Sequence, residues 1–160
     1  MYAGFAAGCP SVTRKGTLAV SNSTTALDTK SAIRTRNDVP QFAGCSALVH
    51  VSIPPSVVAI GAGAFEGCTG LRSVSWPLAH TSEAHIGPGA FANCTALTHF
   101  IFPSTLQTIG KDAFANARAL IAVDFPANVR LAARGAFDDN IIIVPATQST
   151  ILIYAAHWGR

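Results

Sequence analysis

The sequence predicts a β-solenoid, in which short parallel strands stack in one coil beside a second limb of short strands and turns. Three observations carry that expectation. Phe42, Phe65, Phe91, Phe114 and Phe137 recur at steps of 23, 26, 23 and 23 residues, each inside a phrase whose clearest copy is GAFEGCTGLRSVSWP, residues 63 to 77. A period of this length is the mark of a stacked repeat, because one such unit cannot bury its apolar face alone. Proline follows four of the rings at a fixed distance of twelve residues, at Pro54, Pro77, Pro103 and Pro126. Finally, 49% apolar against 12% charged residues is the composition of a packed core and not of a disordered chain.

Taken in order, residues 1–40 hold a degenerate first repeat and a basic arm. GFAAGCPSV, residues 4 to 12, scans as a repeat with one inserted residue, and the segment after it does not scan. Arg14, Lys15, Lys30, Arg34 and Arg36 outnumber Asp28 and Asp38 here, which accounts for the whole formal charge of +3. Residues 41–160 are therefore neutral overall. A nucleic-acid footprint needs a basic stripe on the folded body, so nucleic acid is excluded as the expected partner. The polar run from Ser21 to Thr25 inside the arm has no hydrophobic period and reads as flexible.

Residues 41–145 form the repeat array, and each column can be read as a physical requirement. Leu48, Leu71, Leu97 and Leu120 stand six residues after Phe; Val51, Val74, Phe100 and Val123 stand nine after; Ile53, Trp76, Phe102 and Phe125 stand eleven after. Alternation of this kind places the three columns on the buried face of a strand. The prolines that follow cannot donate to a ladder and end the strand. Gly44, Gly67, Asn93, Asn116 and Asp139, two residues after Phe, are the types that best tolerate a left-handed backbone, so positive φ is expected in that column. Upstream, Ile60, Ile86, Ile109 and Leu131, with Gly61, Gly87 and Gly110 and with Ala64, Ala90, Ala113 and Ala136 just before the rings, predict a second limb packed through small residues.

The phrase I-G-x-x-A-F-x-x-C-x-x-L-x-x-V-x-I-P resembles the BspA-like leucine-rich repeats, also called the Treponema pallidum type, over roughly residues 42 to 145. The resemblance implies a right-handed solenoid of leucine-rich repeats. It also implies a C-terminal cap over residues 146–160, a helix bearing Tyr154 and Trp158 after a last strand ending at Val144 and Pro145. Pro145 lies 8 residues after Phe137 instead of 12, which leaves the register of that strand open. Proteins of this type are binding modules on cell-surface and other proteins and share no catalytic residues, so the expected function is a non-enzymatic scaffold without cofactors.

Parallel strands about 4.8 Å apart align equivalent side chains in rows. The outward rows are His50, Ser73, His99 and Ala122, and Ser52, Ser75, Ile101 and Asp124. They form an extended face for a protein or glycan partner, with Ile101 as an apolar anchor among small polar neighbours. The 26-residue step adds a loop, residues 78 to 85, that carries His80, Glu83 and His85. Two imidazoles and a carboxylate are metal-ligand types, but their spacing matches no site, and a solvated partner-binding loop is the simpler reading. Cys45, Cys68 and Cys94 share one column, which fits free, buried thiols and not a metal site, and leaves Cys9 as the accessible thiol.

Catalysis is not expected. His50, Ser75, His99 and Asp124 include the residue types of a nucleophilic triad, but rows on an open sheet keep them apart and wet. No apolar run approaches the roughly 20 residues that span a bilayer. The AAGC ending at Cys9 has the small residues of a lipoprotein box without the apolar stretch of a leader, so the default compartment is the cytoplasm. An open N-terminal rung offers an edge for self-association. The alternative function is a structural spacer within a longer repeat protein, with no binding role of its own.

Overall fold

The fold is given by a computed structural model, which describes residues 17–19, 26–27, 42–53, 57–76, 83–139 and 141–145. One set of short strands comprises β1 Thr17–Ala19, β3 His50–Ser52, β5 Ser73–Ser75 and β7 His99–Ile101, with β9 Ala122–Phe125 and β11 Ile142–Pro145 at its far end. The second limb comprises β2 Ala26–Leu27, β4 Ala59–Ile60, β6 Ala84–Ile86, β8 Leu106–Ile109 and β10 Leu131–Ala132. All pairings are parallel. The second limb is one sheet of five strands in the order β10-β8-β6-β4-β2. The first limb is divided into a four-stranded sheet, β1-β3-β5-β7, and a separate pair, β11-β9.

The core lies between the limbs and is built from the repeating columns. The Leu, Val and Ile/aromatic columns are all buried, from Leu71, Leu97, Leu120, Ile53 and Trp76 at 0% exposure to Phe100 at 7%. The five period-setting rings stack face to face, with centroids 5.0, 5.2, 5.3 and 4.8 Å apart and planes within 12° of parallel. Each ring rests on a turn whose backbone bonds to the next rung. The amides of Phe65, Phe91 and Phe114 donate to the carbonyls of Ala90, Ala113 and Ala136, and those of Gly44, Gly67 and Asn93 donate to Glu66, Ala92 and Ala115. The rungs are thus tied at the turn as well as in the sheets.

The left-handed column is present at Gly44, Gly67, Asn93 and Asn116, with φ of 73°, 72°, 61° and 59°, but Asp139 does not share it. A second left-handed column stands two residues before the ring, at Gly63, Gly89, Asp112 and Gly135. Its residue types were as telling as those of the first. The upstream apolar column ends at Ala132 and not at Leu131: Ala132 pairs with Ile109 and is buried, while Leu131 is 45% exposed. Counting five residues back from Phe137 gives Ala132, and the larger side chain one position earlier belongs to the outer face.

β1 and β2 fall within residues 1–40 and extend both sheets, with Leu18 opposite Val51 and Leu27 opposite Ile60. The last rung reaches its strand three residues sooner than the others, which settles the open register: Ile143 pairs with Val123 and Pro145 with Phe125. There is no helix among the described residues. The cap helix expected over 146–160, Pro54, Pro77, the Ser21 to Thr25 run and Cys9 lie outside the described residues.

Candidate functional site: the outer strand face

Alternation along each short strand decides what the outer face carries. In β3, β7 and β9 the residues flanking the central Val or Phe are exposed, and in β5 Ser75 is exposed and Ser73 half-buried. Registers place His50 beside Ser73 and Ser73 beside His99, and Ser52 beside Ser75 and Ser75 beside Ile101. The two predicted rows therefore exist up to β7. His50 Nδ1 lies 2.6 Å from Ser73 Oγ. His99 Nδ1 lies 2.8 Å from Thr98 Oγ1, whose hydroxyl is also 3.1 Å from the Arg72 carbonyl. This half of the face is a surface of hydroxyls and imidazoles.

The far half differs. β9 is not paired with β7, and the change coincides with Phe100 and Phe102 in columns that hold smaller side chains in β3. Phe100 packs edge-on against Phe91 and Phe114, at 5.0 and 5.1 Å, and against Phe102 at 4.5 Å. Phe102 in turn meets Phe125 at 5.9 Å. Where β9 parts from β7 lies a cleft of ≈ 450 Å³ lined by Phe100, Ile101, Phe102, Ser104, Asp124, Phe125, Pro126, Ala127 and Asn128. Ile101 at 53%, Ile121 at 65% and Ile142 at 61% exposure make this end of the face apolar.

Asp124 thus stands across the cleft from Ile101 and not in a ladder row with it. The four residues weighed as a triad are spread over four strands, and the close His–Ser pair among the described residues, His50 with Ser73, involves a different serine. His85 does not join this surface. His85 belongs to β6 in the second sheet, half-buried, with its Nδ1 2.9 Å from Thr108 Oγ1. Glu83 is exposed just before that strand, and His80 lies outside the described residues. Among the described residues no three His, Cys, Asp or Glu side chains come together as a metal site would require.

The cysteine column serves the core. Cys68 Sγ donates to the Phe42 carbonyl at 2.9 Å and Cys94 Sγ to the Phe65 carbonyl at 3.1 Å, each thiol reaching back one rung. Contact with the Cys68 sulfur, and burial after it, push the Cys94 thiol up from its ordinary value. Cys45 corrects the expectation of three free thiols, because it is disulfide-bonded while Cys68 and Cys94 are free. The period explained why a small residue stands there but carried no information on a partner outside the column.

Stacked short parallel strands, a stacked aromatic turn and a row-bearing face define a leucine-rich repeat solenoid. The chain matches the BspA type leucine rich repeat region in six copies over residues 34–144, and it belongs to that family. Among solved structures it is similar to the leucine-rich repeat protein of Treponema pallidum, with 33% identity and a TM-score of 0.65 over 77% of this chain and 54% of that one. A leucine-rich repeat protein of Bacteroides ovatus shares the fold at 23% identity and a TM-score of 0.59, over 84% of this chain and 37% of that one. One from Eubacterium ventriosum does so at 21% and 0.52, over 82% and 45%. The chain spans about half the length, or less, of these proteins. None of the curated proteins matches it. Leucine-rich repeat proteins are in general protein-interaction scaffolds, and no helix among the described residues is long and apolar enough to cross a membrane.

Proposed function

We propose that this chain is a non-enzymatic scaffold that binds a protein through the outer face of the first limb. The supporting observation is the set of outward rows. His50, Ser52, Ser73, Ser75, His99, Ile101 and Asp124 lie on one face and none of them contributes to the core. Side chains free of a packing role on a rigid, repeated frame are what a recognition surface requires. Ile101 is the anchor of that surface, since a half-exposed apolar side chain beside a cleft gains most from being covered. Turnover is no part of the reading, because rows open to water do not hold a nucleophile against a base and an oxyanion site.

The test is capture from the native cell extract, read by mass spectrometry, with the unaltered chain and with an Ile101→Arg, Asp124→Arg variant of matching melting temperature. A protein held by the first and lost by the second supports the reading. Equal capture, or none, favours the spacer role, in which the array only separates other parts of a longer protein.

A further inference from the structure

The cleft between β7 and β9 has a more definite chemistry than the rest of the face. Its floor is aromatic, but Phe100, Phe102 and Phe125 are 7%, 4% and 2% exposed. Their ring faces are covered by the neighbouring rings, so they offer a sugar no platform on which to stack. What reaches the surface is the Ile101 side chain, Pro126 and Ala127 as apolar walls, with the Asp124 carboxylate, the Ser104 hydroxyl and the Asn128 amide at the lip. Asn128 Nδ2 already donates to the Ser104 carbonyl at 2.7 Å, which leaves its Oδ1 as an acceptor. Among the described residues that line the cleft, Asp124 is the only ionisable one, with no Lys or Arg beside it.

From this we infer that the cleft receives a basic side chain flanked by apolar ones, on an extended segment of a partner protein. An arginine stem packs against Ile101 and Pro126 as long basic side chains do on apolar surfaces. Its guanidinium then donates to the Asp124 carboxylate and the Asn128 Oδ1, a pairing suited to a planar fork of donors. Asp124 supplies specificity by charge, and Ile101 supplies the contact area. The inference rests on the outer face being the working surface and specifies which part of it selects the partner.

The experiment is a titration of the full ¹⁵N-labelled chain with an acetylated, amidated Leu-Arg-Leu peptide, followed by amide chemical shifts. The same peptide with citrulline in place of arginine keeps the shape and hydrogen-bonding amide but removes the charge. Saturable shifts confined to Ile101, Ser104 and residues 124–128, with the citrulline peptide weaker by roughly fivefold, are expected. Asp124→Asn should abolish that difference without unfolding the chain. Equal binding of the two peptides, shifts elsewhere, or no saturable shift overturns the inference, as does selective saturation of the same amides by a neutral oligosaccharide. The broader reading has a separate outcome: a native partner retained by Asp124→Asn but lost by His50→Glu, Ser73→Glu keeps the outer face as the binding surface and removes the cleft from it.

Discussion

The two limbs of the coil answer the same period differently. The second limb stays paired across all five strands, with one register shift between β6 and β8 at Ala84 and His85, whereas the first breaks between β7 and β9. The second is held by residues with no room to vary: a Cβ on Gly87 would lie 2.7 Å from the Ala62 nitrogen, and one on Gly110 would lie 2.4 Å from the Pro88 nitrogen. Both contacts are with backbone, which cannot rotate away. The first limb also has a close backbone approach, at Gly70 against the Ser46 carbonyl, and β5 and β7 stay in register although Phe100 follows Val74. Its pairing stops one rung later, between β7 and β9, and that is where the cleft lies.

The largest expected effect comes from what both limbs share. Phe91→Ala removes a fully buried ring stacked between two others and should cost about 3–5 kcal/mol in chemical denaturation. A shift of a few tenths would mean that the ladder does not hold the limbs together. Next, Gly110→Ala should cost about 1–3 kcal/mol, because the added carbon meets the Gly87–Pro88 backbone of the adjacent rung. A neutral result would show that the second limb is not as tightly constrained as its spacing requires.

Phe100→Val restores the residue that β3, β5 and β9 carry in this column. It should cost about 1–2 kcal/mol through lost ring packing and, at the same time, slow amide exchange along β9 as the strands close. A loss of stability with unchanged exchange would detach the break from this side chain. Ile101→Arg on the outer face should change stability by no more than about 0.5 kcal/mol, while reducing partner capture. A large destabilisation would place Ile101 in the core and not on the binding surface.

The smallest effect concerns the thiol column. The fold holds the Cys94 thiol above its ordinary value of 9.0, so the stability it contributes is complete below that pH and falls as pH rises further, where the unfolded thiol ionises and the folded one does not. Cys94→Ala should reduce that alkaline slope at little cost near neutrality, since Ala117 occupies the same position one rung on. An unchanged slope would assign it to another group. In the native chain, Cys68 and Cys94 should resist a thiol reagent until unfolding exposes them.

What repeats was legible in the sequence, because a repeated physical requirement leaves a repeated residue type. The Phe ladder, the three core columns and the outward rows can be read from spacing alone. Singular features were not. Phe100 announces a volume change, but whether neighbours yield by tilting a ring or parting the strands depends on Phe102, Phe114 and Phe125 together. Leu131 drew attention by its hydrophobicity although the period points to Ala132. The 78 to 85 segment counted as loop ends inside β6, so His85 is a strand residue committed to Thr108. The cleft residues Ser104, Pro126, Ala127 and Asn128 lie in turns that follow the period loosely, and only their meeting across the gap gives them a role.

Amide hydrogen exchange, read residue by residue, tests the break in the first limb most directly. In a parallel ladder with the registers of β3, β5 and β7, the amides of Ser73, Ser75 and His99 bond back to the preceding rung. They should exchange slowly. Those of Ala122 and Asp124 hold the equivalent positions in β9, which has no such partner strand, and should exchange markedly faster at equal stability of the chain. Protection of Ala122 and Asp124 equal to that of Ser73 and Ser75 would mean an unbroken sheet, and with it no cleft.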